Sequence, residues 1–320
     1  MAPTTGGRTP HHMRTHALAV ETNQLVKTYP GGVKALDGME LAVESGIVFG
    51  LLGPNGAGKS TTVKILTTLA RPDAGTAAVA GHDVLRHPGR VRAAIGVVAQ
   101  KSGADPVATG RENLLLQGRL YGLRGAACAR RADELLDRFD LADAGNRPVK
   151  GYSGGMCRRL DVALGLVHRP EVLFLDEPTT GLDPDRLAER IAIVDRGRVV
   201  VEGTPDELKG ELRGDAVHLE LSEAVADGAE PPLRDALTAL PGVHEVAVDG
   251  RRVSARADDG AAAVPTLLTA LERAGAAVAT ATVARPSLDD VYLRYAGRSF
   301  TEAEAAAEAP VPAAAAGGVR

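Results

Sequence analysis

Nearly continuous apolar runs mark three strands in the first part of the chain. They cover residues 46–52, 94–100 and 171–175, and such runs predict strands that are buried on both faces. Residues 18–29 and 39–43 read as two further strands around a Pro-Gly-Gly turn. A helical pattern follows the first run, so strands and helices alternate and an α/β fold is predicted.

A mainly helical insert separates the second apolar run from the third. Thr109 followed by Glu112 forms a capping box, which is typical of a helix start. The insert extends over about residues 105–170, after which the chain returns to the sheet. We therefore predict one domain over residues 18–210 with a helical subdomain inside it.

The pattern changes again near residue 215. Strand, helix, two strands, helix and strand follow in order, and the Asp249–Gly250 pair signals the turn between the middle strands. This is the ferredoxin-like order. We predict a small α+β domain over residues 215–300, with a last helix capped by Ser287 and Asp290.

Composition limits the possible functions. The chain has 320 residues, 44% of them hydrophobic, with a net charge of −4 and a pI of about 6.1. Nucleic acid is not expected as a partner, because there is no overall basic footprint. No apolar run reaches about 18 residues, so the chain is not expected to span a bilayer by itself.

Four features carry no chemistry of their own. Residues 1–17 and 301–320 have almost nothing to bury and are expected to be disordered tails. Cys128 and Cys157 have neither metal-ligand spacing nor the number needed for a disulfide framework. Both cysteines are interpreted as bystanders in a reducing cytosol.

A glycine-rich motif follows the first apolar run. The stretch "GPNGAGKST" matches G-x-x-x-x-G-K-[ST] between a predicted strand and a predicted helix. Its backbone N–H groups would turn toward a β-phosphate at the positive end of the helix. Lys59 would bridge two phosphates and Ser60 would hold Mg²⁺. The candidate nucleotide-binding residues are Gly53, Pro54, Asn55, Gly56, Ala57, Gly58, Lys59, Ser60 and Thr61.

Two carboxylates end the third apolar run. Asp176 could reach Mg²⁺ through water, and Glu177 could polarise an attacking water as general base. Adjacent carboxylates at a strand end are often only a solvated loop. The phosphate-loop motif in the same chain makes the functional interpretation the better one.

The order of these motifs resembles one family. Tyr29, the phosphate loop, Gln100, "YSGGM" at 152–156 and "VLFLDEPTTGLD" at 172–183 are similar in order to the ATP-binding subunit of an ABC transporter. The tail "LDDVYLRYAGR" and the signature "YSGGM" resemble the daunorubicin-resistance type of drug exporter. The resemblance covers about residues 18–300, and it implies an α/β P-loop NTPase fold with a helical insert.

The resemblance also implies an activity and partners. The chain would bind ATP and Mg²⁺, hydrolyse the ATP, and drive export of a hydrophobic drug through a separate membrane permease. It would act as a head-to-tail homodimer at the cytoplasmic face of a bacterial membrane.

By position, the resemblance gives further residues a role. Tyr29 would stack on adenine, and Gln100 would contact Mg²⁺ and sense the permease. Asp183 would couple the two sites of the dimer. Three residues at a helix start would cover the γ-phosphate bound by the opposite subunit, where oriented donors and the helix dipole favour an anion: Ser153, Gly154 and Gly155.

The residues that flank this signature are given no binding role of their own. Tyr152 and Met156 stand at positions where most ABC proteins carry Leu and Gln. The drug-exporter group shares this departure. The following residues 157–159 are expected to form a solvated helix face. The candidates for catalysis are Glu177, Lys59, Gln100 and Asp183, and those for the metal are Ser60, Gln100 and Asp176.

One segment of the family pattern is missing. In the family, a buried strand that ends on a histidine, followed by a helix, separates the acidic strand end from the strand matching "IAIV". Here only residues 176–190 lie between them, and the join falls near residues 184–185. Neither His168 nor His218 is placed to replace the missing histidine.

The missing strand is central in the family's sheet, so its loss would leave buried backbone groups unpaired. Either "IAIV" slides across to fill the gap, which we favour, or the domain is poorly stable. Two functions remain open: a hydrolysing exporter subunit, or a subunit that binds ATP without completing hydrolysis. Soluble ABC proteins that act on DNA or ribosomes are a weaker alternative, because they usually carry two such domains.

Overall fold

The computed structural model describes residues 17–176, 187–212, 214–226, 228–284 and 286–308. These residues form a mixed α/β structure. The strands are β1 (Leu18–Tyr29), β2 (Val33–Glu44), β3 (Phe49–Leu52), β4 (Ala74–Val79), β5 (His82–Asp83), β6 (Ile95–Val98), β7 (Val172–Leu175), β8 (Arg190–Asp195), β9 (Arg198–Gly203), β10 (Asp215–Leu221), β11 (Val243–Asp249), β12 (Arg252–Ala257) and β13 (Val278–Ala284). The helices are α1 (Lys59–Leu66), α2 (Pro88–Ala94), α3 (Gly110–Leu120), α4 (Gly125–Arg138), α5 (Gly154–Leu166), α6 (Pro205–Gly210), α7 (Glu230–Thr238), α8 (Gly260–Arg273), α9 (Leu288–Ala296) and α10 (Phe300–Glu308).

Contacts group the described residues into two compact units. Unit 1 comprises the described residues up to Ile47 and those from Ser60 to Asp176. Unit 2 comprises Val48–Lys59 and the described residues from Leu187 onward. The predicted domain limits at 18–210 and 215–300 divide the chain differently and stay a prediction.

Unit 1 contains two sheets and the helical insert. One sheet has the order β2-β1-β4-β5, and β6 pairs with β7 in a separate parallel sheet. Helices α3, α4 and α5 of the insert share one core, because their apolar residues recur at helical spacing on facing sides. This core consists of Leu114, Ala132, Leu135, Leu136, Leu141, Val149, Leu160, Ala163 and Val167.

Unit 2 contains the predicted C-terminal fold. Its sheet has the order β11-β12-β10-β13, with β10 antiparallel to both neighbours. Val217, Leu219 and Leu221 alternate along β10 and pack with helices α7 and α8. The hairpin turns at Gly250, where φ is +54°, between the paired residues Asp249 and Arg252. The ferredoxin-like order is thus confirmed.

The phosphate-loop strand lies in a second sheet of unit 2. Strand β3 pairs in parallel with β8, with Gly50 opposite Ile191, and β8 pairs with β9 through a two-residue turn. The apolar side chains of β8 pack against helices α6, α9 and α10. This core contains Ile191, Ile193, Leu208, Leu212, Leu288, Val291, Tyr292 and Ala303.

The sheet corrects two of our expectations. "IAIV" does not bridge the gap, because one edge of β8 pairs with β3 and its other edge is taken by its own hairpin partner β9. Strand β7 pairs only with β6 among the described strands. Strands β3 and β7, expected to be buried, contain no fully buried residue, since each has a single neighbour among the strands of the described part and is less enclosed than a central strand.

The expected C-terminal disorder is wrong for residues 301–308. They belong to α10, where Ala303 is 3% exposed and Phe300 stacks on Tyr292 with ring centroids 4.2 Å apart. Residues 1–16 and 309–320 lie outside the described part of the chain. Among the helices of the described part, none combines the length and the apolar character needed to cross a membrane.

The capping box of α3 provides a stability test. The Thr109 hydroxyl accepts a hydrogen bond from the Glu112 amide at 3.1 Å, and the Glu112 carboxylate accepts one from the Thr109 amide at 2.8 Å. We expect Thr109→Ala to lower the free energy of unfolding by about 1 kcal/mol, because the first-turn amide loses its acceptor. Urea denaturation followed by circular dichroism measures this. Thr109→Ser keeps the hydroxyl and should lose far less; equal losses would contradict the capping role.

Candidate nucleotide-binding site

The phosphate loop has the backbone that its glycines permit. It runs from the end of β3 at Leu52 to the start of α1 at Lys59. The φ angles of Gly56 and Gly58 are +80° and +111°, which residues with side chains rarely adopt. A Cβ at Gly53 would collide with the carbonyl oxygen of Val194 in β8. The glycines of the motif are therefore required by this geometry.

The Lys59 ammonium lies against its own loop. It donates a hydrogen bond to the carbonyl oxygen of Pro54 at 3.0 Å and to that of Gly53. The ammonium therefore has partially negative oxygens of its own loop as hydrogen-bond acceptors. Together with the N-terminus of α1, the loop presents a cation and backbone donors to an anion.

The other loop residues differ in exposure. Asn55, Gly56 and Ser60 are exposed, whereas Thr61 is half-buried. Buried residues of the loop, which form its packed side, are Pro54, Ala57 and Gly58. The structure thus leaves Ser60 at the first turn of α1 accessible to a ligand.

The β8–β9 hairpin supports the loop from behind. The Gly197 amide donates to the Ala57 carbonyl at 2.8 Å. A cavity of about 220 Å³ lies beside this contact, lined by residues 54–57 together with Asp195, Arg196, Arg298 and Ala303. Sequence reasoning did not find these supports, since they come from three separate segments of the chain.

Asp195 is the centre of this support. Its Oδ1 accepts hydrogen bonds from the Tyr292 hydroxyl at 2.9 Å and from the Arg298 guanidinium at 2.8 Å. Burial, together with the Asp195 carboxylate, raises the pKa of Tyr292 to about 12. The tyrosine therefore remains a neutral donor throughout the physiological range. The tail motif marked this segment in the sequence but did not show its partner.

Two candidates for metal binding lie at one edge of the β6–β7 sheet. These strands are parallel with Val98 opposite Leu175, so Gln100 and Asp176 both follow the same ends. The Asp176 amide donates to the Val98 carbonyl at 2.9 Å. The predicted residues Glu177 and Asp183 lie outside the described residues.

Arg158 corrects the expectation of a solvated helix face. Its guanidinium donates to the carbonyl oxygens of Ala99 at 2.8 Å and Asp176 at 3.2 Å. It therefore ties α5 to the ends of β6 and β7. Arg159 fits the expectation better, since it pairs with the exposed Asp140 at 3.6 Å.

The signature residues form a helix start in unit 1. Ser153 is the N-cap of α5, and its hydroxyl accepts from the Met156 amide at 3.3 Å. Gly154 and Gly155 are exposed, with no atom within 4 Å of where a Cβ would lie. Tyr152 anchors the segment by donating to the Ala144 carbonyl at 2.8 Å. The start of α5 is therefore unobstructed at Gly154 and Gly155.

Tyr29 lies at the end of β1, paired with Val33. The ring is half-buried, and the Lys27 ammonium lies 5.7 Å from its centroid. Tyr29, Gln100, Asp176 and the signature belong to unit 1, whereas residues 53–59 belong to unit 2. Each group is thus organised within its own unit.

His168 has a packing role. Its ring stacks on Tyr121 with centroids 3.6 Å apart, and Nε2 lies 2.9 Å from the Ile95 carbonyl oxygen, to which it donates. Burial is the main cause that lowers the pKa of His168. The neutral ring is therefore the form that the fold favours.

Family comparisons match both halves of the chain. The ABC transporter family matches residues 36–180, and the family described as "ATP-binding protein DrrA1-3-like, C-terminal domain" matches residues 203–296. The daunorubicin resistance ATP-binding protein DrrA3 of Streptomyces coeruleorubidus is 45% identical over 90% of this chain and 99% of its own length. The daunorubicin/doxorubicin resistance ATP-binding protein DrrA of Streptomyces peucetius is 43% identical over 87% and 92%.

The alignment with DrrA3 contains positions that this chain lacks. The alignment with DrrA3 spans 318 positions but includes 90% of the 320 residues, which is about 288. About 30 alignment positions therefore have no counterpart in this chain.

Solved structures agree on the fold. An ATP-binding subunit of an ABC transporter is 25% identical, covers 60% of this chain and 92% of its own, and has a TM-score of 0.54. A dimeric ATP-binding cassette in a post-hydrolysis state with ADP and Pi is also 25% identical, covers 58% and 98%, and has a TM-score of 0.52.

The contacts of Arg158 predict a measurable difference between two neighbours. We expect Arg158→Ala to lower the free energy of unfolding by about 1–3 kcal/mol, since two hydrogen bonds from a charged group are lost. Arg159→Ala, which breaks only an exposed ion pair, should cost about 0–1 kcal/mol. Urea denaturation of both variants compares them. Equal costs would refute the tie between α5 and the strand ends.

The His168 environment predicts a pH dependence. Its pKa is lowered in the folded state, so its contribution to stability is present above the unfolded value of about 6.5 and is lost as the pH falls through the folded value. We expect the free energy of unfolding to decrease from pH 7 to pH 5. His168→Phe keeps a ring against Tyr121 and should flatten this decrease; an unchanged slope would contradict the assignment.

Proposed function

This chain belongs to the ABC transporter ATP-binding proteins of the daunorubicin-resistance type, and from that premise we propose that it powers export of a drug-like or hydrophobic compound. It is the ATP-binding subunit, and a separate membrane permease carries the compound. The relatives' names, which refer to daunorubicin and doxorubicin resistance, support this class of substrate.

The single observation that carries the proposal is the phosphate loop. Gly56 and Gly58 turn the backbone ahead of α1, and the Lys59 ammonium is held at the loop by carbonyl oxygens that phosphates would displace. Binding of a triphosphate exchanges weak partners for fully charged ones, which is favourable. The loop is therefore built for the phosphates of ATP.

The residues present also fit Mg²⁺. Ser60, Gln100 and Asp176 supply a hydroxyl, an amide and a carboxylate oxygen, which are the hard oxygen donors that Mg²⁺ takes. When bound, the ion neutralises charge on the phosphates. Ser60 is exposed at the start of α1, and Asp176 has its backbone fixed to β6 through Val98.

The hydrolytic roles follow from the same assignments. Lys59 stabilises charge on the transferred phosphate, and Glu177 polarises the attacking water. Gln100 completes the site and reports its state to the permease, and Asp183 couples paired sites. Tyr29 stacks its ring on the adenine.

A head-to-tail homodimer would complete each site. Ser153 caps α5, and Gly154 and Gly155 are exposed in its first turn, at the positive end of the helix. Such a surface suits a γ-phosphate held by another copy of the chain. The dimer would lie with the permease at the cytoplasmic face of a bacterial membrane.

A second function has its own support: ATP binding without completed hydrolysis. Among the described strands, none joins β3 to β7, and about 30 positions of the DrrA3 alignment have no counterpart here. The switch histidine of the family lies in the segment that the sequence lacks. Binding would then persist, because the loop is supported within unit 2.

Steady-state ATPase assays separate the two functions. For a hydrolysing subunit we expect turnover that falls about a hundredfold in Lys59→Ala and in Glu177→Gln, because each variant removes a group that acts on the transition state. ATP binding is measured in parallel by titration calorimetry. Glu177→Gln should still bind ATP, which distinguishes loss of chemistry from loss of binding.

The outcomes are distinct. Turnover that is equal in the wild type and in Glu177→Gln, with intact binding, refutes the hydrolysing subunit and supports the second function. Absence of ATP binding by the wild type refutes both.

A further inference from the structure

A buried polar cluster ties the C-terminal segment to the phosphate loop. Asp195, whose side chain is 11% exposed, accepts from both Tyr292 and Arg298 at its Oδ1 atom. Tyr292 is fully buried and Arg298 is 24% exposed. A carboxylate held this way has little freedom, because both of its donors are themselves packed.

The same cluster continues to the loop. Asp195 is the last residue of β8, and the turn after it brings the Gly197 amide to the Ala57 carbonyl at 2.8 Å. At the start of the loop, the backbone of Gly53 lies so close to the carbonyl oxygen of Val194 that a Cβ at Gly53 would not fit. Any shift of the end of β8 must therefore move the phosphate loop.

Tyr292 and its helix α9 are also held by contacts away from Asp195. The Tyr292 ring stacks on Phe300. Asp290, on the same helix α9, lies 3.6 Å from the guanidinium of Arg256, whose side chain is 7% exposed in β12. Helix α9 is thus anchored to the C-terminal sheet while it holds Asp195.

We propose that Tyr292 and Arg298 are positioning residues for ATP binding, which fix Asp195 and the β8–β9 hairpin and thereby set the affinity of the phosphate loop in the same chain. The inference rests on the proposed function in that the loop binds ATP. Neither side chain needs to touch the nucleotide. The C-terminal segment acts through the backbone contact at Ala57.

The geometry also explains why both donors are needed. Tyr292 contributes a neutral donor and Arg298 a charged one to a single carboxylate oxygen, so removal of either leaves the largely buried Asp195 with fewer partners. A carboxylate that lacks donors turns toward water. That motion would pull on the turn that holds Ala57.

Titration calorimetry with ATP and Mg²⁺ on the full chain tests the proposal. We expect Tyr292→Phe and Arg298→Ala each to raise the Kd for ATP about five-fold. The reason is that part of the free energy of the lost charge-assisted hydrogen bond to Asp195 is lost from ATP binding at the loop. Titrations are made well below each variant's thermal midpoint, so that unfolded protein does not contribute. Tyr292→Phe keeps the stacking on Phe300 and tests the hydroxyl alone.

Matched controls lie on the same helix. Tyr295 donates to Glu211, and Arg294 pairs with Glu245 at 3.2 Å, so both are held on α9 without contact to Asp195. Tyr295→Phe and Arg294→Ala should leave the Kd within twofold of the wild type. In an Asp195→Ala background, Tyr292→Phe should add no further rise, because its effect passes through that carboxylate.

Three results would overturn the inference while the proposed function stands: wild-type affinity in both test variants, an equal rise in the controls, or additive effects of Tyr292→Phe and Asp195→Ala. Failure of the wild type to bind ATP would overturn the inference and the proposed function together.

Discussion

Strand β3 carries the phosphate loop, and a single ladder of hydrogen bonds to β8 holds that strand among the described residues. In a sheet, each central strand is normally fixed by two neighbours, because every buried N–H and C=O needs a partner. Here β8 is the one neighbour of β3 among the described strands, so the position of the loop depends on β8 and on the contacts that fix β8. As a result, all four residues of β3 are half-buried and none is fully buried.

What fixes β8 is the C-terminal part of the chain. Ile191 and Ile193 of β8 are fully buried against Leu288, Val291 and Tyr292 of α9. Removing such side chains from water contributes about 1.5–3 kcal/mol each. The hydrophobic contact and the polar cluster at Asp195 therefore support the same strand from the same side. The C-terminal segment is part of the unit that presents the phosphate loop, which the predicted boundary near residue 210 does not anticipate.

Local signals in the sequence predicted local structure well. The Thr109 and Ser287 caps and the glycine turn at Gly250 each depend on neighbours within a few residues. Contacts between distant segments were out of reach. The Ala- and Glu-rich stretch after Phe300 has few apolar side chains, yet Ala303 is buried in the same core against which Phe300 packs. The position of β8 in the sheet was also predicted wrongly, because β9 pairs with the edge of β8 that would have to pair with β7.

Binding and hydrolysis place different demands on this architecture. The loop contacts made by Val194 and Gly197, and the cluster of Asp195 and Arg298 beside them, lie within unit 2 together with the loop itself. In the proposed function hydrolysis also uses the Asp176 carboxylate, which directly follows β7, and β7 pairs only with β6 among the described strands. Since positioning to within about 1 Å decides catalytic rates, the proposed hydrolysis depends more sharply on the placement of that carboxylate than the proposed binding does. The two proposed functions therefore make the same demand on the phosphate loop and differ in what they require of the β6–β7 sheet.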